Sequence, residues 1–372
     1  MAKIVAVVIC GALALSAAGA PAAAPSGGLL QKASRLSGLP VRRGVPEKML
    51  AGAQYDSAVL RAAYREYPRS LRSIDTVLYT RLGLMPRSVE ARLAPPTQAS
   101  RAWYDPAARR LLVRRTPMPQ RARVVNELVR ALVDQNFNLR RIARLRVRDR
   151  DRALAAKAIV DGTAALASGI GASAARGTPV ERFLQLESGL APGKALAKEL
   201  RYIGGSPALA SALRSFPQTT EQLLHIDKFL EREPALAVRL PTRIGDWKLS
   251  ASETFGELDV RSLLRTFGVP NAAAAAEGWG GGRLGLYVSA TGETTATLAL
   301  QWDTIDDATE WRDAVARYVG AAFPDATAHD CPPLDRCWSG ASTVASGVLG
   351  GRSVFASGPG ADTVTAALFT QK

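Results

Sequence analysis

Arg123–Leu139 reads RVVNELVRALVDQNFNL, and its period is helical. Val124, Val125, Leu128, Val129, Ala131 and Leu132 supply an apolar surface. Asn126, Glu127, Arg130 and Asp134 fall together on a wheel that turns about 100° per residue, forming one polar stripe. A helix this apolar is buried, so the stripe must face water, a cleft or a partner. Local Glu127–Arg130 and Arg130–Asp134 pairs on a solvated face are the plainest way to satisfy it.

The flanking sequence extends this unit in both directions. RAWYDPAARRLLVRR, Arg101 to Arg115, predicts a β-hairpin that turns at Asp105 to Arg109 with apolar residues in both arms. Before it, Val45 to Pro86 reads as a strand entry followed by short helices. After it, RRIARLRVRDRDR, Arg140 to Arg152, is the densest basic run. Asp149 and Asp151 each suit the N-cap of a new helix, DRALAAKAIVDGTAALAS, which would make the basic run a helix end plus a connection. Helical sequence continues to about Leu230, Pro234 and Pro241 punctuate the chain, and PTRIGDW marks the crossing into a second domain.

The second domain has RLGLYVSA, a TGE turn and TTATLALQWD, a hairpin in which Leu284, Leu286 and Val288 alternate, as do Leu298, Leu300 and Trp302. An amphipathic helix from Asp306 follows, with Ala308, Trp311, Val315, Tyr318 and Val319 on one face. Two more short strands and a terminal helix, DTVTAALF, would complete a small α+β unit.

Composition limits the classes open to the chain. At 47% hydrophobic and 22% charged, it has the balance of a soluble globular protein rather than a disordered or membrane-embedded one. Its 372 residues suit about two domains. The net charge of +15 is uneven, because Arg101–Arg152 alone carries 15 Arg against 5 acidic residues. Arg140, Arg141, Arg144 and Arg148 are therefore candidates for a polyanion surface, with solvated surface as the plainer reading.

The first residues carry Lys3, an apolar run from Ile4 to Leu15, and small residues with Ala-x-Ala possibilities near Ala18–Ala24, the pattern of a secretory signal. The run is shorter than the roughly 20 residues of a membrane-spanning helix, although a retained N-terminal anchor is the other reading. Residues 1–24 are expected to be the signal and 25–40 a flexible leader. Cys10 lies inside the apolar run rather than after it, which argues against a lipoprotein. Removal of the signal leaves Cys331 and Cys337 in CPPLDRC, a pair expected to close a disulfide in an oxidising compartment. With only His329 nearby, these thiols lack the four ligands of structural zinc.

The motifs taken in order resemble a family, the secreted neutral zinc metallopeptidases of high-GC bacteria. That family's helix reads approximately HELxHALQDQHFDL, to which Asn126 through Leu139 correspond. Its YDP is similar to Tyr104, Asp105 and Pro106, and its EGDA resembles Asp161, Gly162, Thr163 and Ala164. Its TEQxLHPxxY resembles Thr220 through Phe229, and its GWGGDR resembles Gly278 through Arg283. The ordered set covers roughly residues 40 to 320.

The resemblance implies an α+β fold, with a mainly helical metallopeptidase-like domain at 41–245, a β-hairpin before the active-site helix, and a small α+β domain at 246–372. It also implies that Asn126, Glu127, Arg130 and Asp161 mark a vestigial site. In the family's helix two imidazoles one turn apart hold zinc, a downstream carboxylate supplies the third ligand, and the Glu takes a proton from the metal-bound water. Here Asn126 is a poor ligand, Arg130 is none because its guanidinium stays protonated, and Asp161 is one methylene shorter than Glu. Arg130 would put a fixed charge about where the metal charge sat, facing Glu127 and Asp161.

Other chemistries fit less well. GLAPGKA, Gly189 to Ala195, has the wrong glycine spacing for a phosphate loop and lacks its Ser/Thr, and no Gly-x-Ser-x-Gly elbow is present. GWGGGR reads as a turn before a strand, and His225 as a packed, hydrogen-bonded histidine. The expectation is an exported, catalytically silent metallopeptidase homologue with no cofactor and no metal. It would bind a peptide or protein partner through the vestigial cleft. The alternatives are an envelope protein that uses the basic surface to bind an anionic polymer or lipid, with nucleic acid not expected, and a hydrolase with an unusual site.

Overall fold

The structure is a computed structural model that describes residues 27–86 and 101–369, so the expected signal lies outside the described residues. It is a mixed α+β fold with a helical majority and several strands. The described residues open with α1 (Gly27–Ser37), β1 (Glu47–Leu50), α2 (Gly52–Glu66) and α3 (Arg69–Arg81). The hairpin β2 (Ala102–Asp105) and β3 (Arg110–Arg114) leads into α4 (Arg121–Phe137), α5 (Arg140–Arg148) and α6 (Arg150–Ser168). Helices α7 (Pro179–Glu187), α8 (Leu190–Arg214), α9 (Thr220–Leu224) and α10 (Ile226–Glu231) complete the first half.

The first sheet has the order β1-β3-β2, with β1 parallel and β2 antiparallel to β3. Alternation along the strands divides its faces. Ala102, Leu111 and Val113 cluster with Val125, Leu128, Val129 and Leu132 of α4, while Leu112 clusters with Tyr55 and Val59 of α2. The flexible leader expected over 25–40 is largely helix α1 instead, because Leu30 and Ala33 have apolar partners in the α4–α6 core.

The basic run also differs from its expected form. It is a helix of its own, α5, and Asp149 rather than Asp151 caps α6, accepting from the backbone N–H of Arg152. Helix α6 then crosses α8 at backbone contact. A Cβ on Gly162 would lie 2.1 Å from the carbonyl carbon of Gly193, and one on Gly193 would lie 2.0 Å from the carbonyl oxygen of Ala158. Only glycine at both positions permits this approach.

The second half holds β4 (Arg243–Ile244), β5 (Trp247–Thr254), α11 (Glu257–Thr266), β6 (Trp279–Val288), β7 (Thr294–Trp302) and α12 (Ile305–Ala322). Strands β8 (Thr327–Cys331), β9 (Leu334–Ser339), β10 (Val344–Leu349) and β11 (Arg352–Ser357) precede α13 (Ala361–Phe369). Four strands rather than two therefore follow α12. They join one antiparallel sheet of eight, in the order β4-β5-β6-β7-β11-β10-β9-β8. Leu284, Leu298 and Trp302 pack on one face with Trp311 and Val315 of α12, and Tyr287 and Val354 pack on the other with Val364 and Leu368 of α13. Cys331 and Cys337 are bridged, with Cα atoms 5.8 Å apart, tying β8 to β9.

The boundary expected between residues 245 and 246 is crossed by a single core cluster. Leu78, Tyr79, Leu82 and Phe183 of the first half pack with Trp279, Trp302 and Trp311 of the second. Tyr318 of α12 donates its hydroxyl to the Leu82 carbonyl at 2.7 Å, so the polar group of this buried ring is satisfied across the same boundary.

Candidate functional site at the α4–α6 centre

Helices α4 and α6 bring Glu127, Arg130 and Asp161 together. Arg130 Nη1 donates to Asp161 Oδ1, and Lys157 Nζ donates to Asp161 Oδ2. Arg130 Nε lies 3.8 Å from Glu127 Oε2, which also accepts the backbone N–H of Tyr104 at 2.8 Å. That bond fastens the polar stripe of α4 to β2. Asn126 turns away and donates to Ser168 Oγ at 3.3 Å. The expected Arg130–Asp134 pair does not form. Asp134 is buried, takes the Tyr104 hydroxyl at 2.7 Å and the Leu139 backbone N–H at 2.8 Å, and so anchors the start of α5.

The electrostatics follow from burial and neighbours. Burial pushes the Glu127 carboxyl above its ordinary value, although Arg130 and the Tyr104 N–H pull it down. Burial acts upward on Asp161 too, but Arg130 and Lys157 outweigh it and hold this carboxyl below the ordinary range. Burial opposes the charge on Arg130, yet Asp161, Glu127 and Glu66 outweigh it and strengthen the guanidinium's hold on its proton. The centre therefore carries a permanent internal cation.

These residues do not fit zinc. The Asn126 amide is a weak donor already bonded to Ser168, and the Arg130 guanidinium offers no lone pair. Two carboxylates remain, and Asp161 is engaged by two cations. No hydrolytic step through a metal can be derived from this donor set.

The arginines proposed for polyanion binding have divided roles. Arg140 Nη2 donates to the Ala107 carbonyl at 2.7 Å. Arg141 donates to the carbonyls of Leu213 and Arg214 at the end of α8, with its guanidinium carbon 3.9 Å from the centre of the Phe216 ring. Arg144 and Arg148 stay exposed. Between them in sequence, Arg146 reaches Asp75 at 3.1 Å and Glu253 at 3.2 Å. Arg150, only 2% exposed, binds Glu187 at 2.7 Å and Asp259 at 2.5 Å. Burial pushes Glu187 up to about 8 against the pull of Arg150.

A second group of carboxylates lies near α10. Oxygens of Glu221, Glu233 and Asp303 lie within 4.8 Å of one another, a triad whose chemistry could ligate a metal. Lys228 Nζ already binds all three, at 2.6, 3.0 and 2.7 Å, which uses every donor of the ammonium. Nearby, His225 Nε2 lies 3.0 Å from both oxygens of Glu257.

Residues 243–367 match the family model described as "Domain of unknown function (DUF8575)". That segment runs from β4 to α13, so it covers the eight-stranded sheet and its helices and stops short of α4 and α6. No curated protein matches the chain, and no solved structure matches it.

Two grooves of about 410 Å³ each lie elsewhere on the surface, one beside His225 and Lys228, the other between α2 and the first sheet. Neither is lined by Asn126, Glu127, Arg130 or Asp161. Sequence reading missed the Arg146–Arg150 network, the Lys228 tripod and the α2 groove. Each joins residues far apart in the chain. The one local signal was the i, i+4 spacing of Arg146 and Arg150, which Arg144 and Arg148 share.

Proposed function

We propose that this chain is an exported relative of the zinc metallopeptidases that has lost hydrolysis and works by holding a peptide or protein partner over the α4–α6 centre. The observation that carries the reading is the Arg130 guanidinium between Glu127 and Asp161, an internal cation where the related helix would hold a metal. Glu127 keeps the place of a general base but has no activated water to deprotonate. Asn126, Arg130 and Asp161 are each partly exposed, which leaves a small polar surface for a partner to meet. The envelope-polymer or lipid alternative through Arg140, Arg141, Arg144 and Arg148 has weaker support, because two of the four are spent on backbone carbonyls.

Elemental analysis of the purified protein, with a melting curve in chelator and a broad protease assay, tests the reading. The expected result is no stoichiometric zinc, no effect of chelator and no peptide hydrolysis. One zinc per chain, or a chelator-induced fall in Tm, overturns it. The triple variant Asn126→His, Arg130→His and Asp161→Glu should acquire zinc if α4 and α6 keep the ligand-bearing geometry.

A further inference from the structure

The geometry points to the groove between α2 and the first sheet as a binding site for a phosphate-bearing anion, gripped by Lys48, Arg61, Arg65 and Arg110. This site is separate from the α4–α6 centre and stands or falls independently of it.

Two periodicities bring the four cations together. On α2, Ala58, Arg61 and Arg65 follow one another at helical spacing and share a face. On the sheet, Lys48 of β1 is in register with Leu112 of β3, and Arg110 lies two residues before Leu112, so all three side chains leave the same face. Arg110 is in register with Asp105 of β2, which places that carboxylate there as well. The open groove between them is about 410 Å³, and small or apolar side chains, Ala58, Ala107, Ala108 and Leu112, complete its lining. That volume suits a small ligand or the head of a larger one.

The charge is uncompensated. Among the described residues Asp105 is the only acidic one lining the groove, and its oxygens are already held by Arg65 at 2.5 Å and by the backbone N–H groups of Ala107 and Ala108 at 3.0 and 3.2 Å. Among the described residues, Lys48, Arg61 and Arg110 form no ion pair, and all three are exposed. Elsewhere the chain commits Arg130, Arg146 and Arg150 to carboxylates and Arg141 to carbonyls. Like charges gathered in a concave surface repel one another until an anion enters, and the concavity focuses their field. Phosphoryl oxygens are the matching chemistry, since guanidinium forks bind them in pairs and the lysine adds a point charge.

Calorimetric titration of the full chain with pyrophosphate tests the site. The expected result is saturable one-to-one binding that weakens as NaCl rises. It should fall at least tenfold in Arg61→Gln with Arg110→Gln, and stay unchanged in Arg144→Gln with Arg148→Gln, which removes equal charge from α5. Co-sedimentation with phosphatidylglycerol vesicles separates a lipid headgroup from a soluble phosphate ester, and groove-dependent binding in either arm supports the site. On the unsubstituted chain, whichever of pyrophosphate and the vesicles binds should protect Lys48 from amine-reactive labelling while Lys198 reacts as before. No saturable binding in either arm, equal loss in both double variants, or unprotected Lys48 overturns the proposal.

Discussion

Arg130 on α4 reaches across to Asp161 on α6, and Lys157 closes on the other oxygen of the same carboxylate. One acid thus holds two cations, one of them almost enclosed, with the Arg130 side chain 15% exposed and that of Lys157 44%. Removing the enclosed cation leaves Glu127 and Asp161 facing each other without it. Breaking a buried pair from one side costs about 3 to 5 kcal/mol, against about 0 to 1 for an exposed one. Arg130→Ala should therefore destabilise by more than about 1 kcal/mol in urea melts, and adding Glu127→Gln should recover part of the loss. Arg144→Ala, on exposed α5, is the control. Equal effects of Arg130→Ala and Arg144→Ala would show Arg130 to be ordinary surface.

Asp161 also sets a pH signature. Its folded pKa is lowered, so the stability it contributes is present above the unfolded value and lost as pH falls through the folded one. The gap in stability between the native chain and Asp161→Asn should be open at pH 6 and close below about pH 4. A gap that stays constant through that range would mean that Arg130 and Lys157 do not hold the charged form.

His225 behaves with the opposite sign. Its hydrogen bond to Glu257 raises its pKa against the effect of burial, with Glu277 and Glu221 adding to the rise. The stabilisation is complete below about pH 6.5 and fades as pH climbs through the raised value. An NMR titration of the imidazole should find its midpoint above that of an unfolded control, and Glu257→Gln should bring it down. No change in Glu257→Gln would remove the pairing as the cause.

The crossing of α6 and α8 offers a test independent of charge. Gly162→Ala would drive a methyl group into the Gly193 backbone, where no flexible side chain can yield. A loss of about 2 kcal/mol or more is expected, whereas Ala in place of Gly normally favours a helix interior. A neutral or stabilising result would mean that the helices do not approach this closely.

Arg150 should prove indispensable to the fold although it lies two residues from exposed Arg148. Arg150→Ala strands Glu187 and Asp259 in the interior and is expected to cost about 3 to 5 kcal/mol, while Arg148→Ala stays within about 0.5 kcal/mol. Similar melting temperatures for the two variants would overturn the buried network.

The elements whose cause is local were legible in the sequence. The α4 period, the hairpin turning at Asp105–Arg109 and the β6–β7 hairpin each follow from neighbours a few residues apart, and Cys331 and Cys337, as the pair left once the expected signal is removed, allowed their bridge to be expected. Leader residues 25–40 misled because Gly, Ser and Lys dilute the apolar positions, Leu29, Leu30 and Ala33, that tie α1 to the core. The strands after α12 were undercounted because β8 and β9 carry too many polar residues to show an apolar alternation, and hydrogen bonding to β10 makes them part of the sheet.

Only the tertiary structure decided what the charges do. Arg144, Arg146, Arg148 and Arg150 alternate in one run, and nothing in their spacing says that two lie in water while two reach carboxylates from β5, α3, α7 and α11. Helical period distributes side chains around an axis, but the dielectric and partners each one meets depend on segments up to 109 residues away. The same holds for Arg130, whose charge the sequence supplies and whose partner Asp161 stands on a different helix, α6, 31 residues away.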